Sequence, residues 1–452
     1  MVQSPPGATR TTLAIEGGAP VRTKAFPERR LFGEEEKSAV VALFDEAIRT
    51  GKENAFGYGG AEEEAYCREF AAWLMGGEGG YADAVNSGSS AVYVALRALG
   101  LEPFTEVIVP ALTDPGGIMP VPMLNCIPIV ADAFLTPRTA DRPAQGSYNV
   151  GPAEIEAALS PRTSAILVAH VAGEPVDMDP ILELARGRGI PVVEDCAQAH
   201  GATYKGKKVG TLGDIAAFST MSGKHHATGA QGGVVFTKRE ELYWAGRRAA
   251  DRGKPFGLSG AQVAASSAAS VVANTEASLN LNSSDLACAI GRVQLQRLQT
   301  IVEARQWVAR QISEGLAKRS RAVRAGWMPA GAKGSYWFMR LSVDATRLTV
   351  GASDFARALA KEGIPVASRY DGAMQGTAAW LNERRVFGTS GYPWSAPEYA
   401  ARGGDPARTF ACPNANAVLE SDFNLRIHER WGDEEIEDTL RAVEKVEGAY
   451  TK

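Results

Sequence analysis

Cysteine is scarce in this sequence, and long apolar runs are missing. The 452 residues include five cysteines, at positions 67, 126, 196, 288 and 412, and none of them forms a C-x-x-C pair. An odd and dispersed set predicts reduced, individually placed thiols rather than a disulfide framework or a zinc site. No apolar run approaches the roughly 20 residues that a membrane helix needs, so we expect no membrane span.

A strong excess of charge of one sign is also missing. Charged residues make up 22 % of the chain and the formal net charge is -4, which leaves no basic footprint for nucleic acid. The N-terminal residues M-V-Q-S-P-P-G-A-T-R-T-T contain no apolar segment of the signal-peptide kind. We therefore expect a cytoplasmic globular protein that binds neither nucleic acid nor membrane.

Strand-like runs and helical patterns alternate through the first part of the chain. The strand-like runs lie at 106–109, 127–130, 164–170 and 191–195, with helical patterns at 153–159 and 178–188. This alternation predicts the α/β class, with a mostly parallel sheet and crossover helices. We assign residues 1–283 to this large domain, which also includes N-terminal helices.

The pattern changes towards the C-terminus. A long amphipathic helix is predicted over about 284–317, followed by a strand at 337–343 and helices at 353–362 and 433–446. These elements predict a smaller α+β domain, to which we assign residues 284–452.

Two apolar runs of strand length are each followed by residues that can do chemistry. The run at 191–193 leads to Asp195, and the run at 215–218 leads to Ser219 and then Lys224. In an open parallel sheet, ligands bind beyond the carboxyl ends of the strands, so we expect these side chains to face one crevice. A lysine and a carboxylate suit pyridoxal 5'-phosphate (PLP), for the Schiff base and for the pyridinium nitrogen respectively.

A phosphate site is predicted at the start of a helix. Asn86, Ser87 and Gly88 are turn and cap residues, and a strong helical pattern runs over 89–99. The free N–H groups and the positive end of the dipole at such a helix start attract phosphate. Ser219 is a further candidate ligand for the same phosphate.

Each of these residues also has a purely structural interpretation. Lys224 could be a surface lysine, Asp195 could cap the next helix, and the hydroxyl of Ser219 could cap a turn. Gln198, three residues after Asp195, could contact a ring substituent or face solvent. The adjacent histidines at 225 and 226 have no Cys or acid at ligand spacing, so we expect no metal site.

Five motifs occur in the order in which they occur in one known family. They are L-A-I-E-G-G-A-P-V-R from residue 13, N-S-G-S-S-A from 86, E-D-C-A-Q-A-H-G-A from 194, F-S-T-M-S-G-K from 218 and S-L-N-L-N-S-S-D-L from 278. From about Leu13 onwards the chain resembles the DegT/DnrJ/StrS family of PLP-dependent sugar aminotransferases. The first motif is similar to the aminocyclitol and 3-amino-5-hydroxybenzoate synthase branch. The resemblance implies fold type I of the PLP-dependent aminotransferases.

The resemblance implies roles for the residues around the cofactor ring. Lys224 would form the Schiff base, Asp195 would partner the pyridinium nitrogen, and Gln198 would contact the ring. Asp114 stands in V-P-A-L-T-D-P-G-G, where the family usually has an aromatic residue that stacks on the ring. Either the stacking is lost or another side chain supplies it.

The resemblance also implies the phosphate ligands and an oligomeric state. Gly88, Ser89 and Ser219 would bind the phosphate of their own subunit. Asn280 would reach the phosphate in the neighbouring subunit, which implies a homodimer with shared active sites. The chain departs from the family's pattern at two further positions. Asn282 stands where an arginine is usual, and Gln231 stands where an acid is usual.

These observations together predict a transaminase. We expect it to move an amino group from glutamate or glutamine to a keto-sugar or keto-cyclitol, in amino-sugar or secondary-metabolite biosynthesis, such as that of antibiotics. A PLP-dependent dehydratase or deoxygenase, in which a histidine replaces the lysine, and a non-catalytic PLP-binding protein stay open as alternatives. Residues 369–405, rich in Tyr, Trp and Gly, are predicted to shape the acceptor pocket.

Overall fold

The protein was analysed as a computed structural model, which describes residues 12–52, 59–139, 144–265 and 274–452. The predicted absence of a signal peptide depends on N-terminal residues, and most of these lie outside the described ranges. The helices are α1 Glu34–Thr50, α2 Ala61–Met75, α3 Gly88–Ala98, α4 Pro115–Ile118, α5 Pro120–Met123, α6 Pro152–Ala158, α7 Met178–Arg186, α8 Glu240–Ala250, α9 Gly260–Ala265, α10 Asp285–Arg319, α11 Ala352–Lys361, α12 Ala379–Asn382, α13 Pro397–Ala401, α14 Pro413–Ser421 and α15 Asp433–Tyr450.

The strands fall into one large sheet, one smaller sheet and two short ribbons. They are β1 Tyr81–Val85, β2 Glu106–Pro110, β3 Ile127–Ala131, β4 Ala133–Thr136, β5 Gln145–Val150, β6 Thr163–Ala169, β7 Val192–Asp195, β8 Thr203–Tyr204, β9 Lys207–Lys208, β10 Ile215–Ser219, β11 Gly233–Thr237, β12 Val323–Ala325, β13 Ala332–Lys333, β14 Met339–Val343, β15 Val366–Ala367 and β16 Asp422–Leu425. The elements predicted from the sequence recur with bounds shifted by one or a few residues.

The large sheet has seven strands in the order β1-β11-β10-β7-β6-β2-β3. Strand β11 is antiparallel to both of its neighbours, and the other pairings are parallel. Its central strands are apolar and fully buried, because helices cover both faces of a parallel sheet. The predicted α/β class with a mostly parallel sheet is confirmed.

Strand β1 was not predicted from the sequence. Its residues, Y-A-D-A-V, are interrupted by Asp83, which breaks the apolar pattern of a buried strand. The carboxylate of Asp83 is buried and accepts a hydrogen bond from Arg247 Nη1 of α8 at 2.9 Å. The buried charge is tolerated because Arg247 pairs with it. This partner lies on a helix far along the chain.

The smaller sheet is antiparallel, with the order β12-β14-β16-β15. It is packed by α11, α15 and the second half of α10, and their apolar side chains form a separate core. The first half of α10 packs instead with Tyr66 and Phe70 of α2. Because α10 belongs to both cores, the division of the chain at 283/284 stays a prediction.

No helix within the described ranges combines the length and the apolar character that crossing a membrane requires.

Candidate active site

A pocket opens at the edge of the seven-stranded sheet where β10, β7 and β2 end. Its volume is about 180 Å³. Asp195 is the last residue of β7, Ser219 is the last residue of β10, and Gly88 begins the helix that follows β1. The residues predicted from the sequence that line this pocket are Gly88, Ser89, Asp114, Asp195, Ser219 and Lys224.

Lys224 is the cation of this pocket, and it is almost fully buried. Only 6 % of the residue is exposed to solvent. Burial lowers the pKa of Lys224 to about 8, although the carboxylates of Asp195 and Asp114 act in the opposite direction. A lysine in this state is partly neutral near physiological pH, as a nucleophilic amine must be.

Asp195 is buried beside Lys224. Burial is the main reason why the pKa of its carboxyl is raised, and this is opposed by a hydrogen bond from the backbone N–H of Ala197 to Oδ1 at 2.9 Å and by the charge of Lys224. Gly117 lies directly against the other oxygen, where a Cβ would be 2.7 Å from Oδ2. The carboxylate is therefore fixed by one hydrogen bond and by close backbone packing.

The other end of the pocket is suited to an anion. Ser87 caps α3, since its Oγ accepts from the N–H of Ser90 at 3.1 Å. Gly88 approaches Ser219 closely, and a Cβ on Gly88 would be 2.6 Å from Ser219 Cβ. Helix α3 is 11 residues long, and its first N–H groups and dipole point at this end.

These features fit PLP. Gly88 and Gly117 let the backbone pack closely against Ser219 and Asp195, the helix start suits a phosphate, and Lys224 and Asp195 lie in the same pocket. When bound, PLP would supply an aldehyde for the lysine and an aromatic ring that withdraws electrons. The residues that would hold it are Gly88, Ser89, Ser219, Asp195 and Lys224.

Gln198 and Asp114 flank the pocket in different ways. Gln198 is buried on the far side of Asp195, where its Oε1 accepts from the N–H of Ala172 at 2.8 Å and its Nε2 donates to Tyr370 Oη at 3.2 Å. The exposed carboxylate of Asp114 accepts from the N–H of Gly116 at 2.9 Å and so begins α4. Gln198 does not line the pocket itself, whereas Asp114 does.

Asn280 lies outside the pocket of its own chain. It is exposed, forms an isolated antiparallel bridge with Asp251, and accepts at Oδ1 from Asn282 Nδ2 at 2.8 Å. The nearby Gln231, by contrast, lines the pocket beside Ser87 and Ser219. The role predicted for Asn280 in a neighbouring subunit stays a prediction.

The two histidines after Lys224 face away from the pocket. His225 Nε2 donates to the backbone carbonyl of Ser335 at 2.9 Å, and His226 Nε2 lies 3.1 Å from the carbonyl oxygen of Gly291. His170 contacts Glu194 at 3.1 Å through Nε2 and accepts at Nδ1 from the N–H of Val176 at 3.0 Å. His170 is therefore a hydrogen-bonded core residue.

Among the described residues, one group has side chains of the metal-binding type close enough together to share an ion. It consists of His170, Glu194 and Cys196. The oxygens of Glu194 already accept hydrogen bonds from the N–H groups of Gly210, Leu212 and Gly213. Both nitrogens of His170 are engaged as well. The ligand atoms of His170 and Glu194 therefore already have hydrogen-bond partners within the protein.

Trp337 is a residue of the site that the sequence did not reveal. It lies between β13 and β14, and its ring centroid is 4.0 Å from Lys224 Nζ. A tryptophan before a strand carries no local signal of function, since the contact depends on how the two sheets pack.

The segment predicted to shape the acceptor pocket is divided between two places. Tyr370 contacts Gln198, and Met374 forms a bridge with Leu112 after β2, both near the pocket. The later part runs to the opposite end of the sheet, where Tyr399 Oη donates to Glu106 Oε1 at 3.0 Å. The early residues of 369–405 therefore lie near the pocket, and the later ones support the base of β2.

The fold and the pocket define a class of protein: a PLP-dependent enzyme built on the type I aminotransferase fold. A family model described as the DegT/DnrJ/EryC1/StrS aminotransferase family matches residues 40–444. The chain belongs to that family. It is accordingly an enzyme of an aminotransferase family whose cofactor is PLP, as the motifs predicted.

Individual relatives agree with this assignment. The chain is 43% identical over 162 residues to a GDP-perosamine synthase of Caulobacter vibrioides, which covers 36% of this chain and 41% of that protein. It is 34% identical over 235 residues to an L-glutamine:2-deoxy-scyllo-inosose aminotransferase of Streptoalloteichus tenebrarius, which covers 51% of each. The aligned regions thus span about half or less of these curated relatives.

A solved structure extends the likeness to the whole fold. The aminotransferase from Psychrobacter cryohalolentis superimposes with a TM-score of 0.71 at 26% identity, covering 93% of this chain and 97% of that chain. The arrangement of both sheets is therefore that of the type I aminotransferases.

Proposed function

We propose that this enzyme transfers an amino group from glutamate or glutamine to a keto-sugar or keto-cyclitol, in amino-sugar or secondary-metabolite biosynthesis such as that of antibiotics. The observation that carries the proposal is Lys224, a buried lysine with a pKa of about 8 that shares its pocket with the carboxylate of Asp195. The relatives support the choice of substrates. One is named as a GDP-perosamine synthase, and another as an aminotransferase that uses L-glutamine and a deoxy-inosose.

Lys224 Nζ is the atom that holds and moves protons in this proposal. Because its pKa is lowered to about 8, both its neutral and its protonated forms are populated near physiological pH. The neutral amine can accept a proton from a substrate carbon, and the ammonium can return it to a neighbouring atom. Burial excludes bulk water from Nζ, so the proton stays within the pocket.

Asp195 provides a fixed carboxylate beside Lys224. Its Oδ1 is held by the N–H of Ala197 and its Oδ2 by the backbone at Gly117, so the carboxylate cannot turn away. In this position it would keep a ring nitrogen protonated, which favours withdrawal of electrons from the reacting carbon. Gln198 would orient the same ring through the space next to Asp195, where Tyr370 and Ala172 hold its amide.

The phosphate would be held by Gly88, Ser89 and Ser219, with the N–H groups of the first turn of α3. We further propose a homodimer in which Asn280 of the partner subunit reaches the same phosphate. Its exposed position outside the pocket of its own chain is compatible with a role across an interface. A cytoplasmic location is part of this proposal, as the sequence predicts.

The test is a half-reaction followed by an acceptor screen. Purified protein is mixed with glutamate or glutamine, and the loss of visible absorbance and the release of the 2-oxo acid are measured before keto-sugars and keto-cyclitols are added. We expect one equivalent of 2-oxo acid per subunit, and return of the absorbance with a suitable ketone. Lys224→Ala should abolish both signals, whereas Lys361→Ala, at the exposed end of α11, should change neither.

Other results would favour the alternatives. Release of ammonia with loss of water from the sugar would indicate a dehydratase or deoxygenase, although His225 and His226 face away from the pocket. Stoichiometric PLP with no half-reaction towards any amino donor would indicate a non-catalytic binding protein. Either result would overturn the proposed transamination.

A further inference from the structure

The indole ring of Trp337 lies against the tip of the lysine that the proposed function assigns to PLP. Lys224 Nζ is 4.0 Å from the centroid of the ring. This is within the distance at which an aromatic face attracts a cation. Trp337 precedes β14 of the four-stranded sheet, whereas Asp195 ends β7 of the seven-stranded sheet.

The same side chain holds the backbone that carries the lysine. Trp337 Nε1 donates to the carbonyl oxygen of Gly223, the residue before Lys224, at 3.2 Å. Arg29 Nη1 donates to that oxygen as well, at 3.0 Å. One indole therefore contacts the end of the lysine side chain and also restrains the backbone where that side chain begins.

Trp337 is fixed by contacts on its own backbone. Its N–H donates to the carbonyl oxygen of Ala172 at 2.9 Å. Arg305 Nη1 donates to the carbonyl oxygens of Tyr336 and Trp337, at 2.8 and 3.4 Å. These contacts join the backbone of Trp337 to the segment that follows β6 and to α10, so the point from which its side chain projects is fixed.

A single carboxylate joins the two arginines of this arrangement. Glu429 accepts from Arg305 Nε at 2.9 Å and from Arg29 Nε at 2.7 Å. The first arginine braces the backbone of Trp337, and the second braces the carbonyl of Gly223. Buried ionic networks of this kind serve orientation better than they serve net stability.

We propose that Trp337 is a positioning residue for Lys224, which holds Nζ in place for the covalent bond to PLP. The proposal rests on the proposed function, because it concerns the same lysine and the same cofactor. Bond formation joins Nζ to the aldehyde carbon of PLP and releases one water molecule, and it needs no other reactant. The nitrogen of the protonated adduct is cationic, so the indole face favours the adduct over the neutral form of the lysine.

A second contribution comes from side-chain freedom. A lysine that is free to rotate loses rotamer freedom when it is fixed. Because Trp337 already restricts Nζ, part of this loss precedes the reaction. The indole should therefore matter for the covalent bond to PLP and not for the binding of phosphate at the distant start of α3.

The experiment compares two ligands on protein from which the cofactor has been removed. PLP forms the covalent adduct, whereas pyridoxamine phosphate carries the same ring and phosphate but has no aldehyde. We expect Trp337→Leu to lower the equilibrium constant of adduct formation, read from the visible absorbance, by roughly three- to thirtyfold. Its Kd for pyridoxamine phosphate, measured by calorimetry, should change by less than about twofold, because the phosphate contacts are retained.

Trp337→Phe separates the two contacts of the indole. It keeps an aromatic face for Nζ and loses the hydrogen bond to Gly223. We therefore expect an equilibrium constant of adduct formation between that of the wild type and that of Trp337→Leu. Trp327→Leu is the matched control, since Trp327 is also half-buried and stacks on Phe134 at a centroid distance of 4.3 Å. It should leave both ligands unaffected.

The outcomes distinguish this inference from the proposed function. Equal losses for PLP and pyridoxamine phosphate, or no loss for PLP, would overturn the positioning role and leave the transaminase proposal standing. A wild-type protein that forms no adduct with PLP would overturn both. If Trp337→Leu does not fold, as judged by circular dichroism, Trp337→Phe decides the question by the same comparison of ligands.

Discussion

Gly88 and Ser219 lie so close together that no side chain fits between them: a Cβ on Gly88 would be 2.6 Å from Ser219 Cβ and 3.0 Å from its Oγ. Gly88 begins α3 and Ser219 ends β10, so this contact joins the helix start to the edge of the sheet. Because Gly88 has no side chain, the start of α3 can lie directly against the end of β10, where the phosphate site is proposed.

We therefore predict that Gly88→Ala weakens PLP binding by about 5- to 150-fold, because overpacking costs roughly 1–3 kcal/mol. Titration of the cofactor-free protein with PLP and with pyridoxal, which lacks the phosphate, measures the effect. The affinity for pyridoxal should change much less. Gly448→Ala, in α15, is the control, since nothing lies within 4 Å of its Cβ position. Equal losses for the two ligands would contradict a phosphate site at Gly88.

The protonation of Lys224 should depend on Asp114. The carboxylates of Asp195 and Asp114 raise the pKa of Lys224 against the effect of burial, which lowers it to about 8. Replacing Asp114 with Asn removes one negative charge and keeps the oxygen that accepts from Gly116, so the pKa should fall by about half a unit. Competitive acetylation of the cofactor-free protein across a pH series, read by mass spectrometry, measures the midpoint at Lys224.

In this series the wild type should label with a midpoint near pH 8 and Asp114→Asn with a lower one. Asp354→Asn, an exposed carboxylate on α11, should leave the midpoint of Lys224 unchanged. A midpoint that rises or stays the same in Asp114→Asn would show that Asp114 does not act on the lysine.

His226 should make the fold sensitive to acid. Burial lowers the pKa of His226 to about 4, below its ordinary value near 6.5. The unfolded chain then binds more protons, so the stability contributed by neutral His226 is complete above pH 6.5 and is lost as the pH falls towards 4. The shift corresponds to about 3 kcal/mol.

Urea unfolding at pH values from 7.5 to 4.5 tests this expectation against His226→Gln. Carboxyls such as Glu63, whose pKa is raised by burial, change the stability in the opposite direction as the pH falls. The difference in the free energy of unfolding between the two proteins removes their contribution and leaves that of His226. The wild type should lose stability relative to the variant as the pH falls. A difference that does not vary with pH would mean that His226 is not held neutral.

A hybrid dimer would test whether the active sites are shared. One subunit carries Lys224→Ala and the other carries Asn280→Ala, and the two are purified together with different affinity tags. If Asn280 acts across the interface, one site of the hybrid has both an intact lysine and an intact asparagine from the partner subunit. We expect activity in the hybrid well above that of either mutant homodimer, close to half that of the wild type.

If Asn280 serves its own chain, both sites of the hybrid are defective. Activity of the hybrid no greater than the average of the two mutant homodimers would contradict shared sites. A wild-type protein that is monomeric in sedimentation experiments would contradict the dimer itself.

The sequence was sufficient where the chemistry and the local pattern coincide. Asp195 and Ser219 end apolar strands, and Gly88 and Ser89 begin a capped helix, so strand ends and cap residues alone bring them to one edge. The α/β class followed from the alternation of strands and helices for the same reason. Strand β1 was missed because Asp83 interrupts it, and its partner Arg247 cannot be foreseen from nearby residues.

Contacts between distant parts of the chain could not be predicted. Trp337 meets Lys224 across 113 residues of sequence, and Tyr370 meets Gln198 across 172. Composition alone also did not reveal that Tyr399, within the predicted acceptor segment, contacts Glu106 at the opposite end of β2.

Helix α10 is continuous over 35 residues, a rod of about 50 Å. Its first half is embedded in the core beside the seven-stranded sheet and its second half in the core of the four-stranded sheet. A hinge between the two sheets would have to bend or break this rod. We therefore expect the two sheets to keep their relative positions while substrates enter and leave.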